Sequence, residues 1–356
     1  MFDNTLKRKR FSFDVGNEKL SSNMLGRLYA AVNTFLTQYN NNIHIFTLIF
    51  RSFMFADKNV YLFFDLLAYY ILKQGRFTLE VKFVYPEKLD LQSIGFQNTA
   101  LHRFMLNQSM MKYNDNKKDF IEYYEKNLYL ERHWYRKLLS RNVLDQIDTE
   151  SQITTDVSCF LENCNIPKST ALNTYNVVAE LLSNTEHNDG DCILDINICE
   201  NYINLSFINL FDGRMFDKLK LMYEANELSN TAQTMIRKAI NYHRLNYHDL
   251  YSEEDFYFIS TFQEGVTTKK ELSGGTGLTN VIKAIAEEDK DAYSYVLSGS
   301  NIMFLRKGLL GDGGINIGFN KSNDYFNDIP SKGVIDRCNL YVPGVVFYLV
   351  FKFEVI

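Results

Sequence analysis

The stretch Thr267-Thr268-Lys269-Lys270-Glu271-Leu272-Ser273-Gly274-Gly275-Thr276-Gly277-Leu278 leads straight into Thr279 to Glu288, which reads as a helix. Three glycines just ahead of a helix let the main chain pass close to a phosphate while its amide groups point at it. Thr267 and Thr268 add hydroxyl donors, and Lys269 or Lys270 adds a cation for the phosphates. Read alone, the segment equally describes a glycine-rich surface turn capping a helix. It is not a Walker A loop, because no Gly-Lys-Ser/Thr follows the glycines. Nor does a clear strand run into it, as the dinucleotide fingerprint requires.

About ninety residues upstream lies Val177-Val178-Ala179-Glu180-Leu181-Leu182-Ser183-Asn184-Thr185-Glu186-His187, at the end of a predicted helix from Ser169. Glu180 and Asn184 are four apart and project from one helical face, with Val178, Leu181 and Leu182 on the buried side. A carboxylate one turn before a carboxamide suits magnesium-assisted phosphoryl chemistry. The amide oxygen ligates the metal, and the carboxylate orients or deprotonates water. The same pair is also common on solvated helix faces.

The two segments in this order resemble the GHKL ATPases, the superfamily of histidine kinases, gyrase-type topoisomerases, heat-shock chaperones and mismatch-repair ATPases. Glu180 to Asn184 looks like their N-box helix. Thr267-Thr268-Lys269, then Gly274-Gly275-Thr276-Gly277-Leu278, resembles the lid and the second glycine box. Between them stands Asn209-Leu210-Phe211-Asp212-Gly213, where the family carries its adenine-reading Asp-x-Gly-x-Gly. The first glycine box is degenerate here, so either Asp212 or Asn209 can hold the adenine-facing place. The Pro343-Gly344 turn resembles the glycine turn before the family's last strand. Two lengths depart from a typical sensor kinase: the roughly sixty residues between Gly213 and Gly274, and an insertion from Lys307 to Arg337.

The resemblance implies a Bergerat-type α/β sandwich, an α+β arrangement with helices on one face of a mixed sheet. It implies ATP and Mg²⁺ as ligands, Glu180 as general base, Asn184 as metal ligand, and Lys269 with the Gly274–Gly277 amides on the phosphates. The function it implies is an ATP-hydrolysing conformational switch. Alternatives are a protein kinase acting on serine, threonine or histidine of a partner, and a nucleotide sensor without turnover. ATP-dependent homodimerisation follows the pattern of gyrase-like members.

Working outward, Cys192 to Cys199 and Tyr202 to Leu210 read as a hairpin after the Asn188-Asp189-Gly190-Asp191 turn. Met215 to Tyr247 reads as mostly helical and Phe256 to Phe262 as extended. Tyr293–Leu297, Ser300–Leu305 and Val345–Phe351 read as closing strands. In the N-terminal part, residues 1–17 are charged and irregular, and Lys19 to Tyr39 has helical spacing. Ile43–Phe50, Asn59–Lys73 and Phe77–Tyr85 form a strand, helix, strand series, as in a βαβ unit. Residues 40–110 are similar, in order of elements, to the STAS-type domains that accompany some bacterial GHKL ATPases. Lys117 to Asn142 reads as a long helix. The resulting organisation is a basic N-terminus (1–18), an α/β interaction domain (19–148) that would take a protein partner, and an ATP-binding domain (149–356).

Composition narrows the remaining classes. Among 356 residues, 46% are apolar and 23% charged, an ordinary globular balance with room for two cores. The net charge of −5 does not favour wholesale nucleic-acid binding, although Lys7 to Arg10 form a local basic run. That run lacks the apolar core of a signal peptide, and Val60–Leu72 is too short and too interrupted to span a bilayer. A cytoplasmic protein is expected, with five cysteines as free thiols and Cys159 and Cys164 in the core. His133 precedes Trp134 rather than the acidic residue of a phosphoacceptor, and reads as structural. His243 and His248 are five apart and share no helical face well enough for a metal.

Overall fold

In the computed structural model, the described residues are 10–16, 27–32, 34, 44–50, 59, 62–63, 65–68, 77–83, 110–112, 128–130, 134–139, 148–185, 191–268, 277–286, 294–310 and 316–354. The chain forms two compact units, Met1–Leu130 and Glu131–Ile356.

The first unit carries a four-stranded sheet: β1 (Arg10–Gly16), β2 (His44–Phe50), β3 (Phe77–Phe83) and β4 (Met110–Lys112), in that spatial order. β1, β2 and β3 run parallel, and β4 is antiparallel to β3. Parallel neighbours require crossovers, and helical residues occur at 27–32 and 65–68, between the paired strands. The charges around β1 predict an irregular segment, and the strand there is a correction. Its alternating Phe11 and Phe13 explain it, and Phe11 stacks on Phe46 of β2 at 5.4 Å.

The second unit is built on five strands in the order β6-β7-β8-β10-β9, and the short strand β5 (Leu128–Leu130) closes the residue range of the first unit. The strands of the second unit are β6 (Trp134–Leu139), β7 (Asp191–Cys199), β8 (Tyr202–Leu210), β9 (Ser294–Leu305) and β10 (Ile335–Lys352). The pairings β6–β7, β7–β8, β8–β10 and β10–β9 are antiparallel. Its helices are α1 (Asp148–Asn163), α2 (Lys168–Thr185), α3 (Asp217–Glu224), α4 (Asn230–Leu245), α5 (Glu253–Ser260) and α6 (Gly277–Ala286). Val178 and Leu182 of α2, Val281 and Ile282 of α6, and Leu194 and Phe207 of the hairpin share one fully buried core. The class is therefore α+β, with helices packed on an antiparallel sheet.

Two local readings of the sequence are corrected. The described parts of Lys117–Asn142 are strands rather than helix. Arg136 and Leu139 are good helix formers, but β6 pairs with β7, placing Arg136 opposite Asp195. Both side chains are fully buried and form an ion pair at 2.5 Å, and Trp134 Nε1 donates to the same carboxylate at 3.1 Å. A buried charge needs its partner, so tertiary pairing overrides propensity. β6 thus belongs to the second unit, Glu131–Ile356.

Phe256–Phe262, expected to be extended, is mostly helix α5. A continuous apolar run carries no periodicity, and Phe256, Tyr257, Phe258 and Ile259 are buried all round. The decisive signal is the cap. Asp255 accepts from the Ser252 N–H at 2.8 Å and the Ser252 hydroxyl at 2.9 Å, in a capping box. Cys159, expected in the core, is exposed on α1.

The insertion after Lys307 packs onto the helices. Gln263 is held by both backbone groups of Ile317, at 2.9 and 2.8 Å. Fully buried His243 stands between the Tyr325 carbonyl (Nε2, 2.8 Å) and the Tyr251 hydroxyl (Nδ1, 2.6 Å). A carbonyl only accepts, so Nε2 carries the proton and Nδ1 accepts from Tyr251.

Burial lowers the His243 pKa, against the opposing Tyr325 carbonyl and the charges of Asp328 and Asp324. The unfolded chain therefore takes up the proton first. The stability this histidine contributes is complete above its ordinary pKa of about 6.5 and is lost as pH falls. Melting curves from about pH 7.5 to about pH 5.5 should show this acid loss in the wild type and a smaller one in His243→Gln. Equal losses would assign the effect to other groups.

Candidate functional site

The hairpin fixes where Asp212-Gly213 leaves the second sheet. β7 opens at Asp191, opposite Leu210 at the end of β8. Ahead of β7, α2 ends at Thr185, whose hydroxyl donates to the Leu182 carbonyl at 2.7 Å. Asp212-Gly213 follows β8 directly, and Glu180 and Asn184 occupy the last turns of α2. Both side chains are half-buried, beside fully buried Leu181 and Leu182. The Asn184 amide nitrogen donates to the Glu180 carbonyl at 2.8 Å, so its amide oxygen is the acceptor end of the side chain.

Helix α6, which begins at Gly277, packs against α2. Its first turn is anchored, because buried Thr279 donates to the Phe262 carbonyl at 2.9 Å. Lys283 meets Glu264 at 3.3 Å. Thr267 and Thr268 are half-buried and follow this anchored segment, and Leu278 is partly buried against the core. Lys269, Gly274, Gly275 and Thr276 lie outside the described residues, as does His133.

Asn209 and Asp212 differ in burial. Asn209 is buried in β8, opposite Cys192 and Val345. Asp212 is exposed, and Gly213 has φ +91°. Of the two, Asp212 is open to a ligand.

Pro343-Gly344 is not a turn before the last strand, as the sequence suggested, but a distortion inside β10. The β10–β9 register shifts between Val342 and Val346, and Gly344 has φ +92°. Its N–H donates to the Gly213 carbonyl at 2.7 Å. Four further contributors escaped sequence reading. Ser298, fully buried in β9, accepts from Met215 N–H at 2.9 Å and donates to the Gly344 carbonyl at 2.5 Å. The Arg214 guanidinium meets Asp217 at 2.8 Å and Glu254 at 2.5 Å. The only advance signal was the Arg214-x-x-Asp217 spacing.

Among the described residues, no group of three His, Cys, Asp or Glu side chains could hold a metal. An open concavity of about 660 Å³ is lined by Glu200, Asn201, Lys352, Phe353 and Glu354. It lies at the start of β8, away from the Asp212 end, and carries none of the residues selected from the sequence. No helix among the described residues is long and apolar enough to cross a membrane. No family model matches the chain, and no curated protein matches it.

Proposed function

We propose that residues from about 150 to 356 bind Mg-ATP in the manner of a GHKL ATPase and act as an ATP-hydrolysing conformational switch. One observation carries the reading. The helix bearing Glu180 and Asn184 packs against the glycine-led helix α6, and Asp212 is exposed just after β8. Asp212 accepts from the adenine amino group, while Lys269 and the Gly274–Gly277 amides take the phosphates.

The Asn184 amide oxygen suits a hard divalent cation, and the hydrogen bond to the Glu180 carbonyl fixes its direction. Magnesium held there together with the phosphates would neutralise their charge. Glu180 takes a proton from water as the water oxygen bonds to the γ-phosphorus. The bond to the departing oxygen breaks, and its electron pair leaves with ADP.

Asn184→Ala tests the assignment. Mg-ATP at about 100 times Kd should stabilise the wild type by about 2.7 kcal/mol through linkage. The variant should lose the magnesium-dependent part of this gain while ATP alone binds equally. An equal magnesium effect in both proteins would remove Asn184 from the metal. With labelled ATP, label released as free phosphate supports hydrolysis, whereas label retained on protein supports the kinase alternative.

A further inference from the structure

The turn after β8 is held more firmly than an exposed loop requires. Three consecutive residues are pinned from different elements. The Gly213 carbonyl accepts from Gly344 of β10 at 2.7 Å. The Arg214 N–H donates to Asp217 of α3 at 2.8 Å, and the Met215 N–H to Ser298 of β9 at 2.9 Å. Asp212 itself remains exposed.

The Arg214 side chain extends this anchorage to α5. Its guanidinium forks between Asp217 and Glu254, with a side-chain exposure of only 20%, and lies 4.6 Å from the Phe216 ring centroid. The sheet makes room for it at Gly299, where an added Cβ would stand 2.5 Å from Arg214 Cδ. Lysine cannot span two carboxylates in this way, because it lacks the planar fork. At its other side α5 is fixed to the sheet. Buried Asp255 accepts from Asn301 of β9 at 2.7 Å and from Arg337 of β10 at 2.7 Å.

We propose that Arg214 is the positioning residue for base recognition, holding the Asp212 turn in register with α5 so that adenine is distinguished from 6-oxo purines. This inference rests on the ATP-binding reading. A carboxylate accepts from the 6-amino group of adenine but repels a 6-oxo oxygen, and a displaced carboxylate does neither well. Discrimination of this kind depends on a polar group left unpaired by the wrong ligand, and hence on a preorganised turn. Arg214 touches no base; it acts through the turn.

The test compares Kd for ATP with Kd for inosine triphosphate in the full chain, for wild type, Arg214→Gln and Glu254→Gln. Wild type should prefer ATP, and both variants should lower the preference by about tenfold. A merely structural ion pair would weaken both nucleotides equally and leave the ratio intact. An unchanged ratio in folded variants therefore overturns this inference alone. Equal binding of the two nucleotides by wild type also overturns it and leaves the ATP site standing. Wild type that binds neither nucleotide removes both readings. If Arg214→Gln does not fold, Glu254→Gln decides, since that side chain is 44% exposed.

Discussion

Glu180→Gln is expected to bind Mg-ATP nearly as well as wild type and to hydrolyse it at least ~10²-fold more slowly, the lower range for loss of a general base. Glutamine keeps the size and much of the hydrogen bonding of the half-buried carboxylate but cannot take a proton from water. The hydrogen bond orienting Asn184 comes from the backbone carbonyl of residue 180, not from its side chain. The substitution therefore leaves that orientation in place. Paired nucleotide titration and phosphate release on both proteins are the readouts. Wild-type turnover in the variant would reduce Glu180 to a surface carboxylate and move the base elsewhere.

Gly344→Ala should cost about 3–5 kcal/mol and lower the melting temperature on the order of 10 °C. An added Cβ would stand 2.1 Å from the Asn209 carbonyl oxygen, 2.9 Å from Phe211 N and 3.0 Å from Leu210 Cα. All three are backbone atoms, so no flexible side chain can yield. The positive φ of +92° adds strain for any residue with a Cβ. Gly308, where an added Cβ would meet nothing within 4 Å, is the control: Gly308→Ala should melt as wild type does. Thermal unfolding of the two variants side by side gives the comparison. A Gly344→Ala protein that melts with wild type would mean that β10 does not press on the Asp212 turn.

Much of the second unit was legible because its signals are local. The β7–β8 hairpin shows in alternating Leu194, Ile196 and Ile198 against Ile203, Leu205 and Phe207, and α6 in the glycines that open it. What escaped depends on a distant partner or on a local signal that apolar residues hide. β6 is a strand because Asp195, 59 positions away, needs Arg136 and Trp134. α5 is a helix because Ser252 and Asp255 cap it. Cys159 follows helical phase to the exposed side of α1, which its apolar character alone does not reveal.

The candidate site divides along the same line. Glu180, Asn184, Asp212 and the glycines stood out because each brings a chemical group that phosphates, metals or bases require. Ser298 and Glu254 hold the turn through contacts with no sequence pattern, and Arg214 shows only its three-residue spacing to Asp217. Ser298 meets Met215 across 83 positions. Gly344 was singled out by residue type, but its role came from the Gly213 carbonyl it meets.

Calorimetric titration of the full, folded protein decides whether Mg-ATP binds this chain. A saturable heat at one nucleotide per chain is expected, requiring magnesium and disappearing in Gly277→Val, where a β-branched residue obstructs the approach to phosphate. Absence of binding heat at several temperatures, together with an unchanged melting temperature in saturating Mg-ATP, would contradict it.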